Sequence, residues 1–219
     1  MLILEAINNP PQFIALISAL VIGLTCHEFA HAWTANRLGD PTAAELGRLT
    51  LDPRRHIDPL GALVFLLVGF GWAKPVPINP YRLSHRQILL VALAGPATNI
   101  ALATLAALLL RPVQLLPEGL AAVGTGALAF FLFLNVILAV FNMIPVPPLD
   151  GWKVAMGLVP DATAMRMRAF EYGPGQMLLL LLIVAGRVLP GGLDPIHLLI
   201  DRPTDIVFGA LLMLGGVSR

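Results

Sequence analysis

Long apolar runs, separated by short polar or proline-rich stretches, are the dominant pattern along this chain. A helix needs about 20 mostly apolar residues to cross the hydrocarbon core of a membrane. Three runs reach this length, at residues 11–37, 87–110 and 120–144, and each is followed within a few residues by proline. Because proline cannot continue a helix, these positions are natural ends. The pattern therefore predicts three full membrane-spanning helices.

The other apolar runs are shorter and predict a more varied arrangement. Residues 60–70 are too few to span, so we expect a re-entrant or buried segment there. Residues 71–80 contain three prolines and favour an extended conformation. Residues 174–189 and 202–214 fit either one long hairpin or two tilted helices. We expect an all-α polytopic membrane protein with about five to six membrane segments and a re-entrant or extended proline-rich segment after the first helix.

The composition supports a membrane protein and excludes several other classes. Of 219 residues 57% are hydrophobic and only 12% charged, whereas about 25% are charged in soluble domains. The net charge of +1 gives no basic surface for nucleic acid. The single cysteine excludes an internal disulfide framework.

We expect one domain over residues 1–219, with core motifs at about 21–156 and additional membrane helices over 157–219. The start of the chain lacks a basic region before its apolar run, so we expect a retained first helix rather than a cleavable signal peptide.

Basic residues predict the orientation of the helices in the membrane, because cytoplasmic loops carry an excess of lysine and arginine. Most of the 14 basic residues fall after the first or after the third full span. Those between the first and second spans are Arg37, Arg48, Arg54, Arg55, Lys74, Arg82 and Arg86. This distribution predicts that the loops, and the end of the first span nearest to them, face the cytoplasm.

A polar motif, His27-Glu28-Phe29-Ala30-His31, lies inside the first apolar run. On a helix, two histidines four residues apart project from one face and can bind one zinc ion. The glutamate between them can act as general base on a zinc-bound water. Ionisable groups in a membrane segment are costly and usually mark function. The motif indicates a metallohydrolase with His27 and His31 as zinc ligands and Glu28 as the catalytic base.

A catalytic zinc site needs a third protein ligand, and Asp150 is the candidate. It follows the proline-rich run at residues 145–149, which ends the third span. Broken membrane helices are tolerated where the freed backbone is buried in protein or lines a watery cavity. This break lies on the same predicted side of the membrane as His31.

Each of these assignments has a structural alternative. The motif at 27–31 can be a buried polar network that packs helices, and Asp150 can cap a short following helix. Gly95 and Asn99, four residues apart on the second span, are expected to serve close helix packing rather than chemistry. His56 lies in a predicted loop, where a solvated side chain is more common than a ligand.

Two competing functions also stay open. A metal transporter or sensor can use the same ligands, but it needs polar groups on several spans. A catalytically inactive scaffold would not need the set of His27, Glu28, His31 and Asp150.

Further motifs in this chain resemble those of the site-2 protease family of intramembrane zinc metalloproteases, in its compact bacterial form. The resemblance covers roughly residues 21–156. The matching segments, in family order, are His27 to His31, Leu38-Gly39-Asp40-Pro41-Thr42, Gly71-Trp72-Ala73-Lys74-Pro75-Val76-Pro77-Ile78-Asn79-Pro80, Ala94-Gly95-Pro96-Ala97-Thr98-Asn99, and Asn142-Met143-Ile144-Pro145-Val146-Pro147-Pro148-Leu149-Asp150-Gly151.

The resemblance implies an endopeptidase with one Zn²⁺ that cleaves transmembrane proteins or peptides within the lipid bilayer. It implies that His27, His31 and Asp150 bind the zinc and that Glu28 is the base. Asn142 matches an asparagine thought to contact substrate or to steady the oxyanion. Together with the charge pattern, the resemblance leads us to expect an integral protein of the bacterial plasma membrane, with its active site towards the cytoplasm. Larger members carry an inserted PDZ domain, for which we expect no room here.

Overall fold

The structure, a computed structural model, describes residues 10–68, 71–171, 173–188 and 194–216. The N-terminal residues 1–9, on which the expectation about a signal peptide partly rests, lie outside these ranges. In the described residues the regular structure is helical, with one isolated bridge between Ile57 and Ala73. The helices are α1 Pro10–Arg37, α2 Thr42–Glu45, α3 Pro53–His56, α4 Pro59–Val68, α5 His85–Val113, α6 Glu118–Asn142, α7 Asp150–Leu158, α8 Asp161–Glu171, α9 Gly175–Val188 and α10 Pro195–Leu214.

The three predicted full spans are confirmed as helices long and apolar enough to cross a membrane. They are Gln12–Arg37, His85–Val113 and Glu118–Asn142, with mean hydropathies of 1.9, 1.9 and 2.3. The all-helical fold class is therefore correct, whereas the total of five to six membrane segments stays a prediction.

The last helix begins earlier than the apolar pattern at residues 202–214 indicated. Asp194 accepts hydrogen bonds from the backbone N–H groups of Ile196 and His197, at 2.9 and 3.3 Å. A carboxylate at this position satisfies two donors that a helix start leaves free. This cap starts α10 at Pro195, before the apolar run at residues 202–214.

Helix α5 is the centre of the bundle and packs against α1, α6 and α7. Its start is set by a capping box, in which Gln87 N–H donates to Ser84 Oγ at 3.4 Å and Ser84 N–H donates to Gln87 Oε1 at 2.8 Å. Small side chains on α5 allow close packing against α6, as is common between membrane helices. The buried cluster between them consists of Ala103, Ala106, Ala107, Leu110, Leu132 and Val136.

The proline-rich segment 71–80 is not helical, as predicted, and it is fastened to the loops that follow α1. Asn79 N–H donates to the fully buried carboxylate of Asp40 at 2.6 Å. Lys74 is held on both sides, because Arg48 Nη2 donates to its carbonyl at 2.6 Å and its N–H donates to the His56 carbonyl at 2.7 Å. These bonds fix the non-helical segment beside the end of α1.

His56 does not have the solvated environment expected from its loop position. Its side chain is 0% exposed, and its Nε2 lies 2.7 Å from the Thr50 carbonyl, to which it donates. The expectation was wrong because the short helix α3 turns the residue inwards beneath the proline-rich segment. The apolar run at 60–70 forms α4 as far as Val68, and residues 69 and 70 lie outside the described ranges.

Candidate metal centre

The two histidines of the motif lie side by side on α1. Their rings meet edge to face with centroids 4.6 Å apart, and their Nε2 atoms are 3.0 Å apart. Both side chains are buried, although α1 is long and apolar enough to span a membrane. The helical spacing therefore produces the pair of converging imidazoles that the sequence predicted.

Asp150 is brought to these histidines by the break between α6 and α7. Its Oδ2 lies 3.1 Å from the Nε2 atoms of both His27 and His31. It is the first residue of α7 rather than its N-cap, which is Leu149, so its carboxylate is not used as a helix cap. The capping alternative raised by the sequence is therefore excluded.

Gly151 permits this approach. A Cβ at that position would lie 2.6 Å from the Ile144 carbonyl oxygen and closer still to the Met143 carbonyl. Real side chains do not tolerate such distances, so only glycine lets the start of α7 pack against the end of α6 here. The Asp150-Gly151 pair thus combines a candidate ligand with a glycine that allows the backbone to bring this ligand close to the histidines.

The three converging atoms form a nearly equilateral triangle with edges of 3.0, 3.1 and 3.1 Å. Ligand atoms at the usual distance from a tetrahedral zinc are separated from one another by about 3.3 Å. The triangle is thus close to the face of a zinc site that keeps its fourth position open for water or substrate. The size of the site fits Zn²⁺.

Hydrogen bonds to the other ring nitrogens, the Nδ1 atoms, determine whether the Nε2 atoms of the triangle have lone pairs that could bind a metal. His31 Nδ1 lies 2.7 Å from the Val91 carbonyl, which can only accept, so this nitrogen carries the proton. His27 Nδ1 lies 2.6 Å from Asn99 Oδ1, and it likewise carries a proton. Both Nε2 atoms therefore present lone pairs. Three acceptors this close repel one another unless a cation lies among them, which is the chemistry of a metal site.

The charge state of Asp150 also suits a metal. An ammonium group close to a buried carboxyl favours its ionised form. The Lys153 Nζ is 3.9 Å from Oδ1, the oxygen turned away from the histidines. Asp150 is therefore a carboxylate with one oxygen directed at the triangle.

The other two predicted site residues, Glu28 and Asn142, are not part of the triangle. Glu28 is buried beside His27 on α1 and interacts electrostatically with Arg48, below the proline-rich segment. Asn142 Nδ2 donates to the Leu138 carbonyl of its own helix at 2.9 Å. The structure thus brings His27, His31 and Asp150 together, keeps Glu28 adjacent, and leaves Asn142 bonded to α6.

Sequence analysis assigned Gly95 and Asn99 to close helix packing. In the structure Asn99 contacts His27 directly, Asn135 contacts Asn99, and Gly95 faces both imidazoles. One signal was available, since asparagine is rare in membrane helices and here occurs on two neighbouring spans.

Comparisons with known proteins identify relatives of this chain. A sequence model described as "Peptidase family M50" matches residues 111–184, which include Asp150. The chain is 41% identical over 165 residues to the Bacillus subtilis protein named "Putative zinc metalloprotease YwhC", covering 72% of this chain and 75% of that protein. It is 39% identical over 147 residues to Rip2 of Mycobacterium tuberculosis, covering 64% of this chain and 55% of that protein, which carries the same zinc metalloprotease designation.

An archaeal relative, MJ0611 of Methanocaldococcus jannaschii, is 31% identical over 147 residues, covering 65% of this chain and 69% of that protein. No solved structure shows a significant match to the chain. The likeness to YwhC extends over three quarters of that protein. It accompanies a zinc-sized triangle of candidate ligands, two of which lie on a helix apolar enough to span a membrane. The chain therefore belongs to peptidase family M50, the site-2 protease family of zinc metalloproteases.

Proposed function

We propose that this chain is an intramembrane endopeptidase that cleaves transmembrane proteins or peptides inside the lipid bilayer of a bacterial plasma membrane. The main support for this proposal is the triangle of His27, His31 and Asp150, which is buried in a bundle whose first helix is long and apolar enough to span a membrane. A substrate that reaches this depth must itself enter the membrane. The charge pattern supports an active site towards the cytoplasm.

In this proposal, His27, His31 and Asp150 hold one Zn²⁺ through two imidazole nitrogens and one carboxylate oxygen. When bound, the zinc supplies a Lewis acid that polarises a peptide carbonyl and lowers the pKa of water. The remaining steps belong to the protein's own side chains, which bind and orient the substrate and move the protons.

Glu28 has the role of proton carrier. It follows a proposed ligand directly and is itself buried, so its carboxylate can accept a proton from the attacking water and return it to the leaving amine. Asn142 can hydrogen-bond the developing oxyanion if its amide turns from the Leu138 carbonyl towards the substrate. Base catalysis and oxyanion stabilisation would then come from two different helices, α1 and α6.

The substrate must be locally unwound, because a helical peptide bond has its carbonyl engaged within the helix. The segment at 71–80 is non-helical and held in place by Asp40, Arg48 and His56, which supports a role in aligning an unwound substrate as an added strand. We include residues 1–219 in one protease domain with about five to six membrane segments.

The alternative of a metal transporter receives less support. A conducting path needs polar side chains that are free to pass an ion between sites. In the described part of the second and third spans, Asn99 and Asn135 are fully buried and bonded to each other and to backbone carbonyls. These amides are fixed in place, which suits a static site better than a path.

The test compares purified full-length wild type with Glu28→Gln on a panel of single-span membrane peptides, with zinc content measured on both. Glu45→Gln, which changes an exposed glutamate on α2, is the matched control. We expect about one zinc in all three proteins and cleavage by wild type and Glu45→Gln only. Cleavage by Glu28→Gln at the wild-type rate would exclude the mechanism. Zinc-dependent transport into vesicles without cleavage would favour the alternative.

A further inference from the structure

We infer that Asn99 and Asn135 are positioning residues that lock His27 in the ring orientation and tautomer needed to bind the metal. This inference rests on the proposed metal site and adds two residues on two other helices to it. Asn99 lies on α5 and Asn135 on α6, while His27 lies on α1. The three side chains form a continuous hydrogen-bonded relay across all three candidate membrane spans.

The far end of the relay is fixed by the backbone of α6. Asn135 Nδ2 donates to the Phe131 carbonyl at 2.9 Å. A carbonyl oxygen can only accept, so the atom facing it must be the amide nitrogen. The other end of the same amide is therefore an oxygen, Oδ1, directed towards Asn99. The orientation of Asn135 is determined without reference to the metal site.

The middle of the relay is fixed by two acceptors. Asn99 Nδ2 donates to Asn135 Oδ1 at 2.9 Å and to the Gly23 carbonyl on α1 at 3.2 Å. Both protons of this amide nitrogen are used, and neither partner can donate in return. The Asn99 amide therefore cannot flip without losing both bonds, and its Oδ1 must face His27.

The near end of the relay sets the chemistry of His27. Because Asn99 Oδ1 is an acceptor 2.6 Å from Nδ1, the proton of the neutral imidazole resides on Nδ1. The lone pair is then on Nε2, which lies 3.1 Å from Asp150 Oδ2 and 3.0 Å from His31 Nε2. Partners of this kind orient histidine ligands and raise their basicity.

The two histidines are held in different ways, which makes the inference testable. His31 Nδ1 is held by the Val91 backbone carbonyl at 2.7 Å, a partner that no side-chain substitution removes. The orientation of His27 depends on the Asn99 side chain, and the orientation of Asn99 depends in turn on the Asn135 side chain. Substitution of either asparagine should therefore disturb one ligand and leave the other two in place.

Burial argues that the relay is more than a general polar contact between helices. Both asparagines are 0% exposed, and an amide in such a place is costly unless its bonds are made. A leucine at either position would pack the helices without that cost. A purely structural role would affect unfolding, whereas a positioning role must also affect the tautomer of His27 and the affinity for zinc.

The experiment uses full-length protein in detergent and three variants, Asn99→Leu, Asn99→Asp and Asn135→Leu. The control is Thr104→Val, which removes a hydrogen bond from Thr104 Oγ1 to the Ile100 carbonyl elsewhere on α5. Three quantities are measured: the zinc dissociation constant by chelator competition, the absorption spectrum with Co²⁺, and the His27 tautomer of the metal-free protein by ¹⁵N NMR.

We expect Asn99→Leu to weaken zinc binding by about 10- to 100-fold and to mix the His27 tautomers, as for other partners of histidine ligands. Asn99→Asp retains an acceptor for Nδ1–H but loses both bonds that Asn99 Nδ2 donates, so its zinc affinity should lie between those of Asn99→Leu and wild type. Asn135→Leu should give a smaller loss in the same direction, and it carries the test if Asn99→Leu does not fold. Thr104→Val should match wild type.

The outcomes separate this inference from the proposed function. Wild-type zinc affinity and an unchanged tautomer in folded Asn99→Leu or Asn135→Leu would overturn the relay and leave the protease proposal standing. Zinc binding that depends on Asn99 in a protein that cleaves no peptide would support the relay and contradict the proposed substrate. A wild type that binds no zinc would overturn both.

Discussion

Gly95 faces His27 so closely that a Cβ carbon placed on it would lie 2.6 Å from the Nε2 and Cε1 atoms of that imidazole. The same carbon would approach the Nε2 of His31 more closely still. Atoms at these distances overlap, so α5 can present only a hydrogen atom to the candidate metal centre. At position 95 the site is therefore lined by backbone, and no side chain occupies the space beside the two imidazoles.

We predict that Gly95→Ala abolishes metal binding, whereas its effect on folding stability is smaller. The added methyl group occupies the space beside both Nε2 atoms, so zinc affinity should fall by about 100-fold or more. Overpacking of this kind costs about 1–3 kcal/mol of stability. Chelator competition and thermal unfolding in detergent measure the two effects.

Gly126→Ala is the matched control for this prediction. Gly126 lies on the third span, and a Cβ there would meet nothing within 4 Å. Its zinc affinity and peptide cleavage should equal those of wild type. Full zinc binding by Gly95→Ala would show that the imidazoles move apart easily and that the triangle is not preorganised.

Spacing and polarity in the sequence were sufficient to predict the three full spans and the three candidate ligands that converge in the structure. His27 and His31 are related by helical geometry, and Asp150 is marked by the proline break before it. Gly95, Asn99 and Asn135 were missed as site residues because their roles depend on how α5 and α6 are rotated against α1. One sequence rich in small apolar residues does not specify that rotation, since several faces of each helix are equally suitable for packing.

Local hydrogen bonds at helix ends account for the remaining differences between the sequence-based predictions and the structure. The start of α10 follows from Asp194, and the burial of His56 follows from the short helix α3, neither of which changes the hydrophobic pattern over a long window. Short-range hydrogen bonds of this type decide where an element begins or turns, whereas hydropathy decides only which long segments can lie in a membrane.

We predict that Asp40→Ala loosens the proline-rich segment without affecting zinc. The buried carboxylate of Asp40 accepts from Asn79 N–H at 2.6 Å, Thr42 N–H at 3.2 Å and Thr42 Oγ1. Removal leaves partly buried donors without this acceptor, and a fully buried donor without a partner costs about 1–3 kcal/mol. Limited proteolysis should cut within residues 71–80 at least several-fold faster, and peptide cleavage should decline.

Asp40→Asn distinguishes the geometry of this contact from its charge. It retains one acceptor oxygen, so its unfolding free energy should fall between those of wild type and Asp40→Ala. Glu45→Ala, an exposed substitution on α2, should resemble wild type. Equal proteolysis of segment 71–80 in Asp40→Ala and wild type would mean that the segment is held by its other contacts, at Arg48 and His56.

We predict that Ser84→Ala destabilises the start of α5 and not the site. It removes one half of the capping box with Gln87, and such losses typically cost about 1 kcal/mol. Ser18→Ala, at an exposed position of α1, is the control. Thermal unfolding and zinc affinity are measured together. A change in zinc affinity would show that fraying of α5 reaches Val91 and Gly95.

Finally, we predict that Asn142→Ala lowers the turnover number and spares zinc binding. Asn142 donates to the Leu138 carbonyl at 2.9 Å, an acceptor already used by its own helix, so the lost bond contributes little stability. Loss of an oxyanion donor typically lowers kcat by about 10²- to 10³-fold, and KM and zinc affinity should change little. Asn36→Ala, near the end of α1, should leave all three values unchanged. Steady-state cleavage of a single-span peptide provides the measurement, and an unaltered kcat would mean that Asn142 serves only α6 and that the oxyanion depends on the metal alone.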